Sequence, residues 1–171
     1  MPTIRIITAA DAIAERDFAE VCSAITYLEA ACFPPAEAAP YESFEARLHA
    51  FADRFWLLYL DGELVSMVNG SLTNESDLRD EMFHAAGLHD SAGTWQMIFG
   101  VATLPAYRRR GYAGKLLETA VEQCRREGRE GLVLTCKEAK LSYYARFGFV
   151  NEGLSSSEHG GDVWYQMRIR F

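Results

Sequence analysis

Long apolar runs are missing from this chain of 171 residues. Charges interrupt every one of them, so none approaches the roughly 20 apolar residues that a bilayer-spanning helix needs. No basic-then-apolar leader precedes the first strand candidate either. Cysteine is scarce: Cys22, Cys32, Cys124 and Cys136 show no C-x-x-C spacing, which argues against a disulfide framework and against a metal site. The expectation is four reduced thiols in a cytoplasmic protein that holds no metal. Positive charge is also short. With 17 Lys and Arg against 24 Asp and Glu, the formal charge is −7, and non-specific nucleic-acid binding is not expected. Internal repeats and low-complexity linkers are absent, as are the dinucleotide fingerprint G-x-G-x-x-G and the nucleotide loop G-x-x-x-x-G-K-[ST].

What is present is a hydrophobic content of 49%, enough for one domain over residues 1–171 to bury a core unaided. The apolar spacing predicts a mixed α/β order. A strand over Ile4–Ile7 precedes a helix over Asp11–Ala31, stopped by Pro34 and Pro35, and a second helix follows over Tyr41–Ala52. Arg54–Leu60 and Glu63–Ser71 flank Asp61-Gly62, a strong hairpin signal. Thr73–Gly93 reads as polar and irregular with a short helix near Asp77–Ala85. A strand over Thr94–Thr103, a helix over Gly111–Glu127, a strand over Leu132–Cys136, a helix over Ala139–Phe147, a strand from Phe149 and a last strand over Asp162–Arg170 complete the order.

The most informative stretch is Arg108-Arg109-Arg110-Gly111-Tyr112-Ala113-Gly114-Lys115, which follows the apolar run Met97–Leu104 and opens an amphipathic helix. Such a turn aims successive backbone N–H groups and the positive helix end at one spot, where phosphates are held. Gly111 and Gly114 permit close backbone approach, and the arginines add charge-assisted donors.

The spacing R-x-x-G-x-A at Arg108, Gly111 and Ala113 resembles the pyrophosphate motif of the GCN5-related N-acetyltransferases. A second segment, Leu141-Ser142-Tyr143-Tyr144-Ala145-Arg146-Phe147-Gly148-Phe149, resembles that family's aromatic-Tyr-x-x-aliphatic-Gly-Phe signature and stands in the family's order. The first half is less specific. Phe33-Pro34-Pro35, Glu37–Pro40 and the Asp-Glu-Met-Phe-His insertion look similar to the arylalkylamine (serotonin) N-acetyltransferase branch. The resemblance implies a mixed, mostly antiparallel sheet with helices on both faces. It also implies transfer of an acetyl group from acetyl-coenzyme A to a primary amine by direct attack on the thioester.

On that resemblance Arg108, Arg109, Arg110, Gly111, Tyr112, Ala113 and Gly114 hold the pyrophosphate. Val101, Ala102 and Thr103 offer strand backbone to the pantetheine, with one N–H as oxyanion donor. Tyr144 stands at the family's general-acid position, and Tyr143 is the neighbour that packs. The general base is not legible. Met97 and Phe99 occupy the positions that carry two histidines in the arylalkylamine enzymes, and neither takes a proton. Gln96, Glu37, Tyr41, or His84 or His89 on the Thr73–Gly93 segment could act through water, while His49 reads as packing and His159 as a loop residue near the acceptor mouth. The acceptor lining implied is Phe33, Pro34, Tyr41, Met97 and Phe99, which suits an apolar or aromatic amine. The partners expected are that small amine and, at most, a second copy of the chain in a homodimer. A peptide or protein N-acetyltransferase, a coenzyme A module without catalysis and an acidic interaction domain are the alternatives.

Overall fold

The apolar runs on either side of Asp61-Gly62 form a hairpin at the centre of the molecule. The computed structural model describes residues 1–171. Strands β2 (Phe55–Leu60) and β3 (Glu63–Asn69) pair antiparallel, and β1 (Ile4–Thr8) pairs antiparallel with β2. The turn between β2 and β3 holds both Asp61 (φ 49°) and Gly62 (φ 84°) in the left-handed region, the twist that matches a tight hairpin. Both faces of β2 are covered, which is why every residue in it is buried. Phe55 meets Phe44 and Phe51 on one face, while the indole N–H of Trp56 donates to Gln123 Oε1 on the other at 2.9 Å.

The predicted helix over Asp11–Ala31 is two helices, α1 (Ala9–Glu15) and α2 (Phe18–Cys32). Thr8 caps α1 by accepting from the Asp11 amide, and the chain turns through extended Arg16 and Asp17 before α2 begins. The break moves the chain from over β2 to over β3. Phe33 is extended ahead of Pro34 and ends α2, and α3 (Tyr41–Phe51) follows.

The predicted strand over Thr94–Thr103 is also two elements, β5 (Trp95–Ile98) and β6 (Gly100–Thr103). They belong to different sheets. β6 pairs with β3 at the end of the order β1-β2-β3-β6. β5 pairs with the short β4 (Leu72–Thr73) and, in parallel, with β7 (Gly131–Cys136). Beyond β7 lie β9 (Tyr165–Arg170) and β8 (Val150–Leu154), giving the order β4-β5-β7-β9-β8. The break is a bulge: Phe99 N–H donates to Asn69 O at 2.7 Å, although the residue in register with Asn69 is Gly100. A Cβ on Gly70 would lie 1.7 Å from Met97 O, so the two bent chains pass at a distance only glycine allows.

Gln96 holds this crossing and is fully buried. Its Oε1 accepts from Arg54 Nε at 2.8 Å, and its Nε2 donates to Ser71 O and Met97 O at 3.2 and 2.8 Å. The water-positioning role expected of Gln96 is therefore replaced by a structural one. Helix α5 (Tyr112–Arg126) covers the Trp56 face, α1 to α3 cover the other, and the short α4 (Asp80–His84) and α6 (Leu141–Ala145) sit beside the second sheet. The result is a mixed, mostly antiparallel arrangement with helices on both faces, split by a wedge-shaped opening where β6 and β7 part.

Candidate active site

At one end of this opening the basic turn enters α5. Arg109 (φ 65°) and Gly111 (φ 80°) are both left-handed, and Gly111 is the residue before the first helical turn. The amides of Arg109, Arg110, Gly111, Tyr112, Ala113 and Gly114 donate to no backbone acceptor, and the first helical bond is Lys115 N–H to Gly111 O. Arg108 Nε donates to Thr103 O at 3.0 Å and ties the turn to β6. Arg109 and Arg110 are exposed beside the free amides, with Arg110 over the Tyr107 ring. Tyr112 and Gly114 are buried. The Phe147 ring lies 3.1 Å from where a Gly114 Cβ would stand, so the two sequence motifs meet in one contact.

Next along the opening is the free edge of β6. Leu104 N–H donates to Val65 O, so the strand register turns the amides of Gly100 and Ala102 toward β3 and those of Val101 and Thr103 toward the unpaired edge. Of the expected backbone donors, Val101 and Thr103 present their N–H groups to the opening, and Ala102 spends its own on the sheet. The Thr103 hydroxyl pairs with Ser66 Oγ at 2.8 Å, and its carbonyl also accepts from Cys32 Sγ at 3.2 Å.

The opening ends in a cavity of about 290 Å³. Ile98 to Val101 wall one side, and Leu134 to Lys137 wall the other. Tyr144 faces this space between the rings of Tyr143 and Phe149, and burial pushes its hydroxyl well above the usual tyrosine range. Like any tyrosine it is protonated at neutral pH, and burial extends that state to higher pH. Tyr143 packs edge-on against Phe147. Phe33, Pro34 and Phe99 line the cavity as expected of an acceptor wall, whereas Met97 and Tyr41 do not. Met97 is fully buried in a second, smaller core with Leu78, Met82, Trp95 and Val133. Tyr41 packs on the main core at the start of α3, where its carbonyl accepts from Cys22.

Several cavity residues were not legible as such. Glu29 is 7% exposed, with its Oε2 accepting from the Ala39 amide at 2.9 Å. Burial raises its carboxyl, against the opposing pull of that amide and of the Arg47 and His159 charges. The available signal was its place on α2, one turn beyond Ile25 on the core stripe, where a carboxylate is out of pattern. Lys137 bonds Glu37 at 3.0 Å and Asp162 at 3.2 Å, and these partners, Glu37 first, raise its ammonium. The loop before β9 closes the top. His159 Nε2 meets Glu37 O at 3.0 Å and stacks on Phe83, Trp164 Nε1 donates to His159 O, and Ser157 and the Glu158 amide bond Asp80. Of the other histidines, His49 stacks on Phe18, His84 sits 6.5 Å from His159, and His89 accepts from the Leu72 amide, burial lowering its ring. No group of three or more His, Cys, Asp or Glu gathers as a metal site, and no helix is long and apolar enough to cross a membrane.

Solved structures share this architecture. The loading GNATL domain of CurA from Lyngbya majuscula is 15% identical, with TM-score 0.76 and coverage of 99% of this chain and 98% of that one. A GNAT-like decarboxylase, GphF, in complex with isobutyryl-CoA is 20% identical, with TM-score 0.77 and 98% of each chain covered. The ribosomal-protein-S18-alanine N-acetyltransferase from Escherichia coli is 16% identical, with TM-score 0.66 over 99% and 94%. At these identities the likeness is one of fold. No curated protein sequence matches the chain. The model of the acetyltransferase (GNAT) family matches residues 22–149, which span the α2 carboxylate, the bulged strand, the free-amide turn and the tyrosine helix. With its sheets parted beside that turn, the chain belongs to the GNAT acetyltransferase family.

Proposed function

We propose that the protein transfers an acetyl group from acetyl-coenzyme A to a primary amine carried on a small apolar body. One observation carries this reading: the free amides of Arg109–Gly114 run on into the open edge of β6, which leads to a cavity holding a protonated tyrosine and a buried carboxylate. The turn suits a pyrophosphate, and the Val101 or Thr103 N–H suits a thioester oxygen that gains negative charge. Acetyl-coenzyme A supplies the thioester, and this chain's residues supply the proton transfers. Glu29 takes a proton from the incoming ammonium, whose parent pKa is about 10.4, and frees the nucleophile. The amine nitrogen bonds the carbonyl carbon, the C–S bond breaks, and the thiolate takes the Tyr144 proton. The second proton on nitrogen leaves through solvent and restores the tyrosine, and Glu29 returns the proton it took to solvent, the one proton the overall reaction releases.

Phe33, Pro34, Phe99 and Trp164 favour an apolar acceptor body, at about 25 cal/mol per Å² of surface buried. This keeps the expectation drawn from the arylalkylamine resemblance while dropping Met97 and Tyr41 from the wall. A peptide acceptor is disfavoured by the tethered loop over a cavity of about 290 Å³. An inactive coenzyme A module does not account for Tyr144 and Glu29 sharing it. Thiol release and N-acetyl product are to be measured with acetyl-coenzyme A against phenethylamine-like amines, spermine and lysine peptides. The highest kcat/KM is expected with the apolar amines. A higher value for spermine or the peptides overturns the acceptor class, and coenzyme A release without any acetylated amine overturns the activity.

A further inference from the structure

A second, smaller space of about 110 Å³ opens behind the acyl cavity, with Glu29, Glu37, Phe83, Phe99, Gly100 and His159 common to both. Its floor includes Arg47 and Asn69, which are 5% and 1% exposed. Arg47 donates to Asn69 Oδ1 at 3.3 Å and to Phe83 O at 3.0 Å, and it has the Phe44 and Phe99 rings against its faces. No carboxylate pairs with it within salt-bridge distance. Arg47 Nε and Asn69 Nδ2 are both buried without a partner. Burial lowers this guanidinium to about 10, with Glu29 the one charge opposing the shift. A buried cation that is neither paired nor saturated is costly to the fold and is expected to be completed by an anion. Of the two carboxylates lining the space, Glu37 is paired with Lys137 at 3.0 Å, and the buried one without a cation in salt-bridge distance is Glu29. Asn69 Nδ2 and Glu29 Oε1 lie 3.4 and 3.7 Å from the point where a Cβ on Gly100 would stand, so a single small ligand at the bulge reaches both.

We propose that Arg47 and Asn69 form a carboxylate subsite, and that the acceptor is an apolar amino acid whose carboxylate sits there while its amine faces Glu29. The inference rests on the acetyltransferase reading and narrows its substrate. A zwitterion answers both buried charges at once, whereas a simple amine leaves the guanidinium bare and a simple acid faces Glu29. The space is too small for the whole molecule, so the side chain extends past Phe99 into the larger cavity among Phe33, Pro34 and Trp164.

The test compares phenylalanine with phenethylamine, and malonyl-coenzyme A with acetyl-coenzyme A, by calorimetry on the full chain and by kcat/KM. Wild type is expected to favour phenylalanine over phenethylamine by about tenfold or more, the usual value of a charge-assisted hydrogen bond. Arg47→Met is expected to abolish the preference, and Asn69→Ala to reduce it, with melting temperatures showing that each variant is folded. Calorimetry keeps the two readings apart: a carboxylate preference in binding without turnover sinks the transferase reading and leaves the subsite. A preference for malonyl- over acetyl-coenzyme A without one for phenylalanine keeps the carboxylate subsite but overturns the amino acid as its occupant. Equal affinity for both members of each pair in wild type overturns the proposal without recourse to any variant.

Discussion

Tyr144 and Glu29 hold their unusual proton affinities for the same reason, the removal of water from one cavity, yet the consequences are opposite in use. Burial favours the neutral form of each, so Tyr144 holds its proton well past neutral pH and Glu29 is a stronger base than an exposed carboxylate. Tyr144→Phe keeps the ring contacts and removes only the hydroxyl, so kcat should fall by about 10²–10⁴-fold with little change in acetyl-coenzyme A affinity. Tyr143→Phe is the matched control and should be close to neutral. For Glu29 the sign of the linkage is fixed by the upward shift. The base must be ionised, so kcat/KM should rise with pH through a value above the ordinary carboxylate range. Stability runs the other way: folding favours the protonated form, so its contribution is full at low pH and is lost as pH rises through the raised value. Glu29→Gln should therefore abolish the rise in rate while raising the melting temperature more at pH 8 than at pH 4. A parallel loss of both would assign Glu29 to structure. Only the first of these assignments could be read from the sequence. The tyrosine came from a motif, whereas the glutamate was hidden in a helix whose apolar stripe it interrupts.

The opening between β6 and β7 depends on two local departures from regular structure, and these set what the sequence discloses. The run Thr94–Thr103 has the composition of one buried strand, and periodicity cannot see the bulge at Phe99 because that bulge answers to Asn69 at the end of β3 and to Gly70 just beyond it. The hairpin at Asp61-Gly62 and the helix entry at Gly111, by contrast, are written in local residues that tolerate positive φ. The missed break at Arg16-Asp17 likewise reflects a change of packing partner, which a continuous apolar spacing does not mark. Gly70→Ala should remove the close passage at Met97 O, costing more than about 3 kcal/mol and lowering the melting temperature by roughly 6–12 °C. Gly111→Val tests the turn. Nothing lies within 4 Å of a Cβ there, so the cost is that of a branched residue at φ 80°, and the fold should survive. Coenzyme A affinity should fall at least tenfold by calorimetry, and an unchanged affinity would remove the turn from the binding site.

At the scale of the whole molecule the two sheets do separate work. The sheet of β1, β2, β3 and β6 is covered on both faces and rigidly carries one wall, while the sheet of β4, β5, β7, β9 and β8 carries the other wall, Tyr144 and the loop that closes the top. The family was legible in the sequence because its turn and its tyrosine helix are short motifs whose parts touch, Phe147 against Gly114. The acceptor side was legible only in Phe33, Pro34 and Phe99, because Glu29, Arg47, Asn69, Lys137 and Trp164 come from distant segments that only the folded sheets bring together. The net charge of −7 gives no guide to a cavity whose carboxylate, Glu29, is buried. The measurement that bears most directly on this account is a crystal structure with coenzyme A bound. The pyrophosphate oxygens should accept from the Arg109–Gly114 amides, the pantetheine should follow the free edge of β6, and the sulfur should stop within hydrogen-bonding reach of the Tyr144 hydroxyl. A pyrophosphate held elsewhere, or a sulfur directed away from Tyr144, would contradict it.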